Sequence, residues 1–442
     1  MRKFLAIVLC RLLRFVGGLL GKGSSLPGKY ALKLCPDVLS RIRLPETVIA
    51  VTGSNGKTST VEMLAAVLRA EGKTVAYNAQ GSNQIEGVTT MILCACTLGG
   101  KMKQDVLLIE SDERYARYTF RWFRPTHYVI TNLYRDQLTR NGHPQWVFDA
   151  IADSLHEETM LVLNADDPLV SLFGRERRNV RWFGMEPVES DTQTLVGRYH
   201  DAAYCSVCGK PLHYSAYHYN HIGIYDCPAC GYGRHMPDER VTKADLDAGL
   251  LEINGTQHIR LALRSLFNVY NLLAVYTVCR LLDIPGERIC AILSDYILKN
   301  GRFVRFRCGR HEGEFLVSKH ENSVSYDLSL RYAVAQKKPC TVVVIVDAVS
   351  RKYFTSETSW LWDINFELLN SENVRRILLC GKYCNDLALR FDFTGIAPER
   401  IQTYAQVADG VAALRESGDE TVYTVTCFSD KEKFLSNVEV LS

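Results

Sequence analysis

The chain has 442 residues, of which 47% are hydrophobic and 23% charged, with a formal net charge of +3. That length exceeds one ordinary core and predicts two or three domains of about 150 residues each; the composition excludes a disordered chain, and so mild a charge gives no argument for nucleic-acid binding. No stretch of about 18 uninterrupted apolar residues occurs, which argues against a transmembrane helix. Fifteen cysteines are an odd number, and apart from one group of four they are scattered through apolar or irregular sequence. Such usage predicts a reducing compartment, hence the cytoplasm, and no disulfide framework.

Met1 to Leu20 places Leu5, Val8, Leu12, Phe15 and Leu19 at helical spacing among the bases Arg2, Lys3, Arg11 and Arg14. This is the pattern of an amphipathic helix. Two destinations are open to it: packing on its own domain, or lying on an anionic membrane surface. A secretory signal fits poorly, because Arg11 and Arg14 interrupt the apolar run and no small-residue cleavage site precedes Lys22. From Glu46 onward, TVIAVTG, DVLLIES, HYVITNL and MLVLNADD read as strands separated by helical stretches. Strands alternating with helices predict a parallel sheet covered on both faces. Residues 199–240, rich in Cys, His, Tyr and Gly, break this rhythm as an insertion. A long amphipathic helix resumes it in LRSLFNVYNLLAVYTVCRLL. The strands TVVVIVDA, RRILLCG and TVYTVTCF then predict a second, smaller α/β domain over 305–442.

The turn TGSNGKTST, Thr52 to Thr60, lies directly after a strand and directly before a helix. A glycine turn there points backbone N–H groups at an anion, and the helix dipole adds to the attraction. Lys57 supplies a cation for the β- and γ-phosphates, and the Thr58 hydroxyl is a Mg²⁺ ligand. Val51 stands where the general G-x-x-x-x-G-K-[ST] loop has its first glycine, so this is the narrower T-G-x-N-G-K-[TS] form. Further along, DVLLIESDE delivers Glu110, Asp112 and Glu113 to the carboxyl edge of the sheet, where doubly wound folds bind ligands. Glu110 is the candidate to hold Mg²⁺ opposite Thr58; for Asp112 and Glu113 a surface-charge reading stays open. TNLYRDQLTRNG (131–142) and VLNADDP (162–168) put further polar side chains beyond strand ends.

Two other constellations stand apart. Cys205-Ser-Val-Cys208 and Cys227-Pro-Ala-Cys230 lie eighteen residues apart, each pair followed by glycine. This is zinc-ribbon spacing; four thiolates close a tetrahedral shell, so the expected Zn²⁺ is structural. The nearby His213, His218, His221 and His235 are expected to be structural or surface residues. Asp363, flanked by Trp360 and Trp362, is either a helix cap or a site residue in a partly desolvated pocket.

Taken in order, TGSNGKTST, IESDE, TNLYRDQL, LNADDP and SLFNVYN resemble the Mur ligase superfamily, which forms peptide bonds through ATP-dependent acyl phosphates. The likeness is greatest to its MurT branch, the ligase-like subunits of lipid II isoglutaminyl synthase. The opening LLGKGSSLPGKYALKL, the four-cysteine insertion and SWLWDINFE are MurT-like. Asp136-Gln137 stands where other Mur ligases usually have Asp-His. No lysine occurs between Gln137 and Asn164 to serve as their carbamylated lysine.

The resemblance implies an N-terminal helical segment over 1–45, a Mur ligase central ATP-binding domain over 46–304 with a zinc ribbon at 199–240, and a Rossmann-like C-terminal domain over 305–442. It implies amidation of the α-carboxyl of D-isoglutamate in lipid II, with ammonia supplied by a GatD-like glutaminase, and so a place in the cytoplasm or at the inner face of the plasma membrane. Gly53, Ser54, Asn55, Gly56, Lys57, Thr58 and Ser59 would bind ATP, with Asn268 beside the adenine and Arg302 near the phosphates. Asp363 would complete the partner's Cys–His–Asp triad. The sequence departs from the MurT pattern at IVDAVSRKYFTSETSW and FLVSKHENSVSY, where the family has Asn-Asp, Ala-Asp-Gly and Lys-Asn-Pro. Two other classes stay open: a stand-alone Mur or folylpolyglutamate-type amino-acid ligase, and a non-catalytic ATP-binding scaffold.

Overall fold

The computed structural model describes residues 1–19, 24–78, 82–136, 143–195, 197–298, 303–319, 321–336, 338–348, 357–416 and 421–441. These fall into two compact units, one drawn from Met1–Tyr134, His143–Leu195 and Asp201–Leu298, the other from Arg135–Gly142, Val196–His200 and Lys299–Ser442.

The first unit is built on a sheet of β1 (Thr47–Thr52), β2 (Val75–Tyr77), β3 (Val106–Glu110), β4 (His127–Ile130), β5 (Met160–Asn164), β6 (Val180–Met185), β9 (Glu239–Asp245), β10 (Leu250–Ile253) and β11 (Gln257–Arg260). Their order is β11-β10-β9-β6-β5-β4-β1-β3-β2. From β2 to β9 all neighbours are parallel, and the central strands β1, β3 and β5 are mostly Val, Ile and Leu, as burial on both faces requires. The parallel sheet is as the alternating pattern predicts. The antiparallel extension β9–β10–β11 is an addition carried by half-exposed strands, two of them only four residues long. In register, Val51 lies beside Glu110 and Thr52 beside Ile130, so the carboxyl ends of the three central strands open side by side.

Helix α1 (Arg2–Leu19) forms as its spacing predicts, and with α2 (Leu26–Leu34) it belongs to this unit. Its orientation is the unexpected part. Ala6, Ile7 and Cys10 join the core against Val88, Ile92 and Leu93 of the helix Ile85–Ala95, whereas Leu5, Val8, Leu12 and Phe15 are exposed, Phe15 by 69%. Gly28 permits the close approach of α2: a Cβ there would lie 1.9 Å from the Glu86 carbonyl oxygen. The insertion is a hairpin of β7 (His213–Tyr219) and β8 (Ile222–Asp226) over a small core of Tyr214, Tyr225 and Tyr232 with two of the cysteines.

The second unit holds a sheet of order β16-β15-β14-β17-β13-β12-β18, made by β12 (Phe303–Cys308), β13 (His311–Ser318), β14 (Cys340–Ile345), β15 (Val374–Cys380), β16 (Ile401–Tyr404), β17 (Thr421–Cys427) and β18 (Glu439–Val440). Five strands are parallel, and β12 and β18 join antiparallel at one edge. Leu330, Trp360, Phe366 and Phe391 fill one face; Phe306, Phe315 and Phe434 fill the other.

Candidate active site

The loop between β1 and the helix Lys57–Ala70 owes its shape to two glycines and a neighbouring strand end. Gly53 has φ +130° and Gly56 has φ +87°, conformations that L side chains rarely adopt. A Cβ on Gly53 would meet the Thr131 hydroxyl at 2.2 Å, and one on Gly56 would meet Asn271 Oδ1 at 2.0 Å. The segment after β4 braces the loop from below. Ser54 N–H donates to the Asn132 carbonyl at 2.9 Å, Asn55 N–H donates to Asn132 Oδ1 at 2.8 Å, and the Thr131 hydroxyl donates to the Asn55 carbonyl at 2.7 Å. Tyr134 N–H closes the brace on Ser54 Oγ at 2.9 Å. Thr131 and Asn132 therefore hold the loop that the sequence marks for phosphate.

Lys57, Thr58, Glu110 and Glu113 converge on that loop. Thr58 Oγ1 donates to Glu110 Oε2 at 2.9 Å, bringing together the two residues expected to share a metal. Glu110 is buried and steadied by Asn78, whose Oδ1 accepts its N–H at 2.8 Å and whose Nδ2 donates to its carbonyl at 2.8 Å. Lys57 Nζ donates to the Gly53 carbonyl at 2.5 Å and pairs with the Glu113 carboxylate. That pairing corrects the surface reading of the acidic turn. Asp112 and Glu113 are buried, because the chain folds straight back from β3 under the phosphate loop. Asp112 organises this turn by accepting the Arg114 N–H at 3.1 Å. Ser59, the third residue of the helix, is half-buried.

The other candidates are less uniform. Asn268, in the first turn of the helix Leu266–Leu281, is buried and donates from Nδ2 to the Leu263 carbonyl at 3.1 Å. Asn271, one turn further, is the residue that faces Gly56; only its place three residues after Asn268 in SLFNVYN hinted at it. Arg302 and Gln137 lie outside the described residues. In LNADDP, Asp167 caps the helix Pro168–Ser171 and accepts the Leu133 N–H at 2.8 Å. Asp166 accepts from Tyr270 at 2.6 Å and Arg234 at 2.5 Å. Both acids are fully buried fold-makers. Of the four histidines, His218 and His221 are buried against Asp191 and Asp167, and His235 stacks on Trp182 at 4.1 Å.

The four cysteines meet as two matching knuckles. Gly209 N–H returns to the Cys205 carbonyl at 2.8 Å and Gly231 N–H to the Cys227 carbonyl at 2.9 Å, each glycine at positive φ. Cys205 and Cys230 sulfurs are 3.7 Å apart, those of Cys208 and Cys227 3.5 Å, and all four lie within 4.8 Å of one another. Thiolates bound at about 2.3 Å around a tetrahedral ion stand about 3.8 Å apart, so the cluster is compatible with zinc.

Within the second unit, Asp363 ends the short turn Ser359–Asp363 and is buried. The Tyr199 hydroxyl donates to it, and that bond, with burial, pushes the Tyr199 pKa upward. Trp360 is buried against Tyr326, while Trp362 is 37% exposed, edge-on to Phe393 with ring centres 5.2 Å apart. In the same unit the Asp136 carboxylate pairs with Lys319 and accepts from Asn322 Nδ2 at 2.9 Å. Lys319 and Asn322 come from FLVSKHENSVSY, the segment that departs from the family's Lys-Asn-Pro.

Comparison with known proteins gives these sites a family. Residues 51–225 match the Mur ligase middle domain and residues 320–430 the MurT ligase C-terminal family. The chain is 30% identical over 396 residues to the lipid II isoglutaminyl synthase (glutamine-hydrolyzing) subunit MurT of Staphylococcus aureus strain N315, covering 88% of this chain and 87% of that one. It belongs to the MurT family. A second MurT, from Streptococcus pneumoniae strain R6, is 27% identical over 427 residues, 95% of this chain and 93% of the relative. Among solved structures, a pseudomurein peptide ligase type C from Methanothermus fervidus superposes with TM-score 0.71 at 21% identity, covering 92% of this chain and 83% of that one. MurF from Acinetobacter baumannii follows at TM-score 0.64 and 15% identity, covering 92% and 80%. At these identities the likeness speaks for the fold. In this MurT-family chain the match to the Mur ligase middle domain takes in the phosphate loop, Glu110, Glu113, the first cysteine knuckle and the hairpin as far as Tyr225.

Proposed function

We propose that this chain binds ATP and Mg²⁺ and transfers the γ-phosphoryl group to the α-carboxylate of D-isoglutamate in the stem peptide of lipid II. Ammonia from a GatD-like glutaminase subunit then attacks the acyl phosphate, releasing phosphate and forming the carboxamide. A carboxylate is a poor acyl donor, and its mixed anhydride with phosphate provides the leaving group. The observation that carries the reading is the 2.9 Å contact between Thr58 Oγ1 and Glu110 Oε2 at the mouth of a glycine loop that also holds Lys57. Those two oxygens fit a hard divalent cation. When bound, that cation would screen the phosphate charges.

The chain's own groups would do the rest. The loop Gly53–Ser59 cradles the β- and γ-phosphates with the N–H groups from Gly56 to Ser59, those of Ser54 and Asn55 being held by Asn132, and Lys57 moves from Glu113 toward the γ-phosphoryl oxygens. Thr131 and Asn132 keep the loop from relaxing. Asn268 would take the adenine, the role that the resemblance implies for it. In the insertion Cys205, Cys208, Cys227 and Cys230 hold a structural zinc. Asp363 orients the partner's catalytic histidine, for which a buried carboxylate already acting as an acceptor is suited. A lipid-linked substrate also accords with a position at the inner face of the plasma membrane.

The test is reconstitution of the full chain with its glutaminase subunit on lipid II, ATP and glutamine. Mass spectrometry should find the carboxyl-to-carboxamide change only when both ATP and glutamine are present. Absence of that product, or addition of an amino acid in its place, would reject the proposal.

A further inference from the structure

Helix α1 is apolar on two opposite sides, and the bulkier side is the one left uncovered. At about 100° per residue, Phe4, Leu5, Val8, Leu12, Phe15 and Val16 fall within an arc of about 120° centred on one face. Each of the six is 39% to 69% exposed. Across the helix the inward arc is made by Ala6, Ile7 and Cys10, each fully buried. A helix serving only its own core would turn its phenylalanines inward. Helix α2 repeats the pattern on a smaller scale: Leu26, Tyr30 and Leu34, four residues apart, are exposed by 38% to 55%. Lys29 and Lys33 lie beside that stripe.

The charge around these stripes selects what covers them. Residues 1–36 contain seven lysines and arginines and no aspartate or glutamate. Lys3 and Arg11 are anchored at the end of the helix Ile85–Ala95, donating to the carbonyls of Gly99 and Leu93, which fixes α1 against the body. A second copy of the chain would bring like-charged faces together. No helix among the described residues is long and apolar enough to cross a membrane. An exposed, bulky apolar face bordered by bases alone is the chemistry of a helix lying in the interface of an anionic bilayer.

We propose that α1 and α2 form a docking surface that seats this chain on an anionic lipid bilayer, with α1 parallel to the surface along its length of about 27 Å. The proposal deepens the membrane-face reading above and rests on it for location only, not for chemistry. Phe4, Leu12 and Phe15 enter the headgroup–acyl boundary, and Lys29 and Lys33 sit against anionic headgroups.

Cosedimentation of the full chain with vesicles tests this, using phosphatidylglycerol-containing vesicles against pure phosphatidylcholine. Binding is expected to the anionic vesicles and to weaken with salt. Leu12→Glu and Phe15→Glu should each weaken it by at least about tenfold, the loss from one buried large apolar side chain. Lys29→Glu with Lys33→Glu should cost about fivefold for each base removed. Thermal melting accompanies every variant, and exposed positions should leave it unchanged. Equal binding to both vesicle types, no binding, or binding indifferent to Leu12→Glu and Phe15→Glu would overturn the proposal. So would a dimer, seen by sedimentation velocity, that these variants dissociate. Amidation assayed in detergent micelles should persist in the variants; its absence in the unaltered chain would strike the proposed reaction and leave vesicle binding to be judged on its own.

Discussion

The buried pair Lys57–Glu113 makes a quantitative demand on the nucleotide site. Both side chains are under 10% exposed, and Lys57 has a second acceptor in the Gly53 carbonyl. Removing one partner of a buried pair typically costs about 3–5 kcal/mol, because the remaining charge stays desolvated. Glu113→Gln keeps the volume and an acceptor oxygen but removes the charge that compensates Lys57, so the low end, about 3 kcal/mol, is expected. For a unit of this size each kcal/mol moves Tm by roughly 2–4 °C, which predicts a fall of roughly 6–12 °C without nucleotide. If Lys57 leaves Glu113 for the γ-phosphate, the variant has less to give up on binding, so a non-hydrolysable ATP analogue should raise its Tm by more than it raises the parent's. Differential scanning calorimetry with and without analogue reads both quantities. An unchanged Tm without nucleotide would refute the energetic argument, and a smaller rise with analogue would refute the exchange of partners.

Other outcomes follow from single features of the fold. Gly56→Ala forces a Cβ to within 2.0 Å of Asn271 Oδ1 at φ +87°; it should weaken ATP-analogue affinity in calorimetry by about 1–3 kcal/mol, and adding Asn271→Ala should restore part of the loss. Cys230→Ser should lower bound zinc from about one per chain and drop the melting temperature, with amidation lost through unfolding. Burial pushes the Asp327 carboxyl up to about 7, so the folded chain keeps a proton that the unfolded chain releases near pH 4, and stability falls as pH rises through that window. Asp327→Asn, which can still accept the Asn365 N–H, should raise Tm at pH 8 by the equivalent of about 1–3 kcal/mol and by less at pH 5. With the glutaminase present, Asp363→Asn should cut glutamine-supported amidation at least ~10²-fold while amidation from free ammonium persists.

Much of this was legible because it is local. A parallel strand buried on both faces must be a run of Val, Ile and Leu, and β1, β3, β4 and β5 declare themselves that way. The glycine loop is readable for the same reason: Gly53 and Gly56 are needed by backbone conformations that adjacent residues specify. The cysteine knuckles are two short turns of fixed length, and their spacing alone predicts four sulfurs close enough to share an ion.

The illegible parts depend on which face of an element meets the rest of the chain. IESDE shows three acids, but only the turn after β3 decides that Glu113 runs under the loop to Lys57 while Glu110 faces Thr58. LNADDP sits at the expected sheet edge, yet its acids turn inward to Tyr270, Arg234 and Leu133, partners up to 104 residues away that no local pattern could supply. Helix α1 states the limit most sharply. Its periodicity specifies a helix and an apolar stripe, but a stripe does not say what it faces. Burial of Ala6, Ile7 and Cys10 on the opposite side is what turns Phe4, Leu12 and Phe15 outward. Whatever covers them therefore lies beyond the unit's own core, and a stretch 1–36 with seven bases and no acid in its sequence favours a negatively charged cover.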